Sequence, residues 1–97
     1  MAEAPIEIAR RVWPGEWRIV KLGFLQLPGL WMVVGGISVR VYPLSAREWV
    51  VETKQSGQFE TVAQGEHLAP VLTKARDELR TAVAEMARAM GLEVSGG

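Results

Sequence analysis

Ile37-Ser38-Val39-Arg40-Val41-Tyr42 alternates apolar side chains with polar or aromatic ones at every step. A period of two belongs to a strand with one buried face, so Ile37, Val39 and Val41 point to a core while Ser38, Arg40 and Tyr42 share the opposite face. A hydroxyl, a guanidinium and a phenol then line one surface. On both sides of this run the chain is rich in Val, Ile, Trp and Phe and is cut at intervals by turn residues, the pattern of consecutive strands. The pieces read as strands at residues 17–27, 31–34, 37–44, 47–54 and 58–63. Breaks fall at Leu27-Pro28-Gly29, Gly35-Gly36, the residues from Pro43 to Ala46, and Ser56-Gly57. The pieces 31–34 and 37–44 are either two strands or one strand bent at the glycine pair. Four or five antiparallel strands in a meander are expected.

A helix precedes the strands and another follows them. Ile6, Ala9 and Val12/Trp13 have helical spacing, and Pro5 suits a first turn because its missing N–H would have no partner there. Pro14-Gly15 stops this short helix. Gly65 ends the sheet, Pro70 marks the first turn of a long helix reaching about Met90, and Gly91 stands where a C-terminal cap is wanted. Leu68, Leu72, Ala75, Leu79, Ala82 and Met86 form its apolar stripe, widened by Val71, Val83 and Met90. The stripe packs on the sheet, with a subunit interface as its second use. On the polar side, Lys74/Glu78 and Glu85/Arg88 are spaced to pair. The fold class is therefore α+β: an antiparallel four- to five-stranded meander with a short N-terminal helix and a long C-terminal amphipathic helix on one face.

The 97 residues leave no room for a second core of comparable size, so residues 1–97 form one domain. With 48% hydrophobic and 23% charged residues, neither disorder nor a fibrous class fits. Eleven basic residues balance eleven acidic ones, which excludes a long-range cationic field of the histone type. The absence of cysteine excludes disulfides, thiolate metal sites and a cysteine nucleophile, and suits a reducing cytoplasm. Asparagine is absent too, a loss of thermolabile residues that hints at a hot source. Met1-Ala2-Glu3-Ala4-Pro5 is acidic where an export signal is basic and then apolar. The apolar stretch 22–36 is broken by Gln26, Pro28 and four glycines, unlike a membrane span. A periodic helix stopping so near Gly97 reads as one that continues in a longer natural chain.

Enzyme constellations are not evident. His67 is the single histidine and reads as an exposed residue just before a helix, without the partners that a zinc site or a Ser-His-Asp relay needs. Glu48, Glu52 and Glu60 read as a solvated strand face rather than as acid/base pairs. Gly35-Gly36 lacks the Lys-Ser/Thr of a phosphate loop and opens onto a strand. No catalysis, cofactor or metal is expected.

What stands out is the interleaving of aromatic and basic residues through the strands, including Arg18, Lys21, Phe24, Trp31, Arg40, Tyr42, Lys54 and Phe59. Between Pro5 and Lys54 seven basic residues face four acidic ones, so the sheet half is basic. Aromatic faces stack on unpaired bases while cations hold phosphates, and duplex DNA hides those base faces, so the pattern favours single strands. A two-residue turn at Ser56-Gly57 would set Lys54 opposite Phe59. The run 17–27 does not alternate cleanly and leaves the faces of Arg18, Lys21 and Phe24 unassigned. Trp13, on the same helical face as Ile6 and Ala9, reads as a packing residue. Arg18, Lys21, Arg40 and Lys54 are assigned to phosphates, and Phe24, Trp31, Tyr42 and Phe59 to bases.

Pro5-Ile6-Glu7-Ile8-Ala9-Arg10-Arg11-Val12-Trp13-Pro14-Gly15-Glu16-Trp17, the meander through Val39-Arg40-Val41-Tyr42 and the amphipathic helix from Pro70 together resemble the DNA-binding core of the ThermoDBP family. Its members are single-stranded DNA-binding proteins of hyperthermophilic archaea. The resemblance spans nearly the whole chain and rests on layout, tryptophan richness and composition. It implies a sheet-and-helix fold that is not an OB barrel, a cleft of aromatic and basic residues binding single-stranded DNA without sequence preference, and a homodimer formed through the C-terminal helix. No long leucine zipper follows Gly91, a departure from that pattern. Residues 37–80, with Thr61-Val62-Ala63-Gln64-Gly65-Glu66-His67-Leu68 leading into a helix, are also similar to the HicB-like antitoxin domain. That likeness implies a protein-interaction module docking a small protein partner; the extra strands and the missing helix-turn-helix depart from it.

Overall fold

The computed structural model describes residues 3–24, 26–54 and 57–91. The element order is α1 (Pro5–Val12), β1 (Arg18–Leu22), β2 (Leu27–Val34), β3 (Ile37–Ser45), β4 (Glu48–Lys54), β5 (Phe59–Gly65) and α2 (Leu68–Ala89). The five strands form one open antiparallel sheet in chain order, β1-β2-β3-β4-β5. Both helices lie on one face. An α+β meander with a short first helix and a long last one is thus the architecture of this chain.

The first hairpin differs from the sequence expectation. The run 17–27 is not one strand: Gly23 and Gln26 take left-handed φ values of 68° and 54° and turn the chain, so that Leu22 pairs with Leu27. Pro28-Gly29, read as a break, lies inside β2. Pro28 is tolerated because β2 at that level pairs only with β1, and its pairing with β3 begins at Leu30, so no donor is required on that side. Gly29 has its own reason, since a Cβ there would stand 2.7 Å from the Val41 carbonyl oxygen. Gly35-Gly36 makes a two-residue turn, with φ 55° and 79° and Val34 opposite Ile37. Two positive φ angles suit the twist of a tight hairpin, so β2 and β3 are two strands rather than one bent strand.

The core fills the space between the sheet and the helices. Val39, Val41 and Val51 meet Leu72 and Ala75 of α2 and Ala9 of α1 in one buried cluster. Trp13 and Trp17 belong to it, stacked edge to face at 6.0 Å, with the Trp17 indole N–H donating to the Trp13 carbonyl at 2.7 Å. Trp17 therefore has a packing role. Arg76 of α2 donates to the Val12 carbonyl at 2.8 Å, which ties the end of α1 to α2. Among the described residues the ion pairs are Glu3–Arg11, Arg40–Glu52 and Arg76–Asp77; Lys74/Glu78 and Glu85/Arg88 do not pair. The buried positions of α2 stop at Leu79, and Val83, Met86 and Met90 are exposed. The expected stripe thus covers the sheet with its first half only, because a helix of 22 residues outruns the strands beneath it. No helix among the described residues is long and apolar enough to cross a membrane.

Candidate nucleic-acid interface

Strand register decides which side chains share the face that the helices leave open. Directly opposed residues in an antiparallel pair point to the same side of the sheet. Leu30 opposes Val41 and Met32 opposes Val39, so Leu30 and Met32 join the core and Trp31 faces away, opposite Arg40. Continuing across the sheet gives a row: Arg18, Trp31, Arg40, Glu52 and Thr61. The next row along contains Val33, Ser38, Lys54 and Phe59. Those two rows hold three cations against one carboxylate. Tyr42 lies two residues beyond Arg40 on the same face, opposite Val50.

Arg40 is the centre of this surface. Its Nε donates to Glu52 Oε1 at 2.5 Å, and its guanidinium carbon sits 3.6 Å from the centre of the Phe59 ring. The Tyr42 ring centre is 5.9 Å from the same carbon, and Lys54 Nζ is 5.6 Å from the Phe59 ring centre. Such cation–ring contacts contribute about 0.5–2 kcal/mol each depending on desolvation. Phe59 is thus a floor beneath Arg40, and what it offers a ligand is the guanidinium plane lying on it. Only Nε of Arg40 finds an acceptor among the described residues, and no buried side-chain nitrogen or oxygen among them lacks a partner, so the Nη groups reach solvent. That edge is the part of an arginine that grips a phosphate in bidentate fashion. Burial raises the Tyr42 phenol above its ordinary pKa, helped by the nearby Glu52 carboxylate and opposed by Arg40.

The open face brings together six of the eight residues picked out from the sequence: Arg18, Trp31, Arg40, Tyr42, Lys54 and Phe59. The Lys54–Phe59 pairing has the expected register; Ser56, one of the two residues of the expected turn, lies outside the described residues. Lys21 opposes Pro28 and so shares the helix-side face with Ile19, away from this surface. Phe24 lies in the β1–β2 turn with its side chain fully exposed. Of the four tryptophans, Trp13 and Trp17 are core and Trp49, opposite Pro43, packs on the helix side, which leaves Trp31 on the open face. Glu52 was read from the sequence as part of a solvated face, yet its side chain is only 14% exposed and is bound to Arg40. The signal was its position opposite Arg40, hidden by the register shift between Pro43 and Ser45. Among the described residues no group of three or more His, Asp or Glu is placed to hold a metal ion.

No protein-family model, curated protein or solved structure matches this chain in comparisons with known proteins. The geometry of the open face is therefore the ground for a functional reading.

Proposed function

We propose that the open face of the sheet binds single-stranded DNA without sequence preference. The observation that carries this reading is the row Arg18–Trp31–Arg40, flanked by Lys54, Phe59 and Tyr42, on a face that neither helix covers. Phosphates go to Arg18, Lys54 and the outward Nη edge of Arg40. Bases stack on Trp31, on Tyr42 and on the Arg40 plane above Phe59, each stack contributing about 1–3 kcal/mol. Phe24, at the tip of the β1–β2 turn, lengthens the path by one ring. Lys21 drops out of the path because it points to the other side of the sheet. The exposed distal half of α2, with Val83, Met86 and Met90, is the surface through which a homodimer would form. The reading is the one that a ThermoDBP-like protein would carry out, and no catalytic step is part of it.

Titration with oligo-dT while following tryptophan fluorescence tests it. Trp13 and Trp17 are sealed in the core and Trp49 packs on the helix side, away from the open face, so quenching is assigned to Trp31 and disappears in Trp31→Phe. Quenching that weakens as salt rises supports the proposal. A flat signal at low salt, with the protein folded, refutes it.

A further inference from the structure

We propose that the outer edge of β1 docks an extended, acidic segment of a partner protein, which adds a sixth strand and seats one apolar side chain in the cavity beside Ile19. This edge shares only Arg18 with the aromatic face, and the proposal does not depend on the DNA reading. Among the described residues β1 pairs with β2 alone, so no strand there bonds the main-chain groups on its outer side. Ile19 points to the helix side but is 70% exposed, since neither helix reaches over it. Next to it opens a cavity of about 230 Å³ walled by Pro5, Ile6, Pro28, Leu30, Pro43 and Trp49. Every residue lining it is apolar, so a polar occupant would lose its hydrogen bonds there, whereas a Leu or Phe side chain would lose none.

Charge selects the partner. Arg18 and Lys21 bracket Ile19-Val20, and neither makes an ion pair among the described residues. A second copy pairing β1 with β1 would bring two cationic strands together, which like-charge repulsion disfavours. Cations on a short edge strand also guard against aggregation, but a guard explains neither the exposed Ile19 nor the apolar cavity beside it. Cross-strand parity then fixes the order of side chains in an antiparallel guest. An acid opposes Lys21, a β-branched residue opposes Val20, an apolar residue opposes Ile19 and faces the cavity, and a second acid opposes Arg18. Glu-Val-Leu-Glu meets this pattern.

The test uses amide chemical shifts and hydrogen exchange of the whole chain with the blocked peptide Ser-Glu-Val-Leu-Glu-Ser. The expected result is shifted and slowed amides in Arg18–Leu22, an affinity about tenfold lower when the peptide Leu is replaced by Ser, and no response to Ser-Lys-Val-Leu-Lys-Ser. The double substitution Arg18→Glu, Lys21→Glu, at two exposed positions, should reverse the preference toward the lysine peptide. Silence at β1 with millimolar peptide overturns the proposal. So do shifts confined to Trp31 and Arg40, which would make the peptide a mere polyanion on the other face, and β1 protection that grows with protein concentration alone, which would make the occupant a second copy.

Discussion

Replacing Glu52 by Gln should tighten the binding of single-stranded DNA, which is the reverse of what removing a residue from a binding face ordinarily does. The carboxylate holds Arg40 by its Nε, and Gln keeps an acceptor of similar shape for that bond while removing the negative charge. A phosphate on the Nη edge would sit roughly 6 Å from the carboxylate, across the guanidinium; at an effective dielectric of about 60 their repulsion is about 1 kcal/mol. Lifting it corresponds to about fivefold in affinity at low salt. The salt dependence should steepen by up to about 0.7 in the log–log slope, because one more cation becomes available to phosphate. Stability moves the other way. With Arg40 and Glu52 side chains 29% and 14% exposed, the pair is not a freely solvated one. Losing its charge-assisted bond should cost about 1 kcal/mol, a fall of about 4–8 °C in Tm for a domain of this size. Oligo-dT titrations across a salt series, with thermal melts of the same samples, measure both effects. A folded Glu52→Gln protein with unchanged or weaker affinity and an unchanged slope would remove Arg40 from the phosphate path.

Tyr42 is the single tyrosine, so tyrosinate absorbance reports on it alone, and the midpoint should lie above the ordinary 10.0 and fall in Glu52→Gln. Because the folded phenol holds its proton more tightly than the unfolded one, the stabilisation is complete below pH 10.0 and is lost as pH rises through the folded value. A midpoint at or below 10.0 contradicts the half-buried placement beside Glu52. Leu72→Ala, at a fully buried position between α2 and the sheet, should destabilise by about 2–5 kcal/mol in chemical denaturation; a loss under about 1 kcal/mol would mean that α2 is not packed there. Gly29→Ala puts a methyl against the Val41 carbonyl oxygen, which cannot retreat without disturbing β3, so about 1–3 kcal/mol is expected from the same measurement. A neutral result would show that β2 and β3 are further apart at that level.

The alternation of Ile37 to Tyr42 told correctly which side of β3 meets the core, because period two leaves each side chain of a strand only two places to go. The same rule failed over 17–27, where a turn at Gly23 to Gln26 interrupts the phase and Pro28 sits in a strand rather than at its end. Helix α2 was legible from its stripe, but periodicity says only that a face is apolar, and not that the sheet stops at Leu79 and leaves Val83, Met86 and Met90 uncovered. Sequence by itself determined the kinds of the elements and the phases of β3 and α2, since those depend on neighbours a few residues away. Tertiary structure alone decided the rest: that Trp17 is core, that Lys21 faces away from Arg18, and that Glu52 lies against Arg40 with Phe59 as its floor. Those facts depend on cross-strand register, which turns and bulges set one residue at a time, and a shift of one residue moves every side chain to the other face.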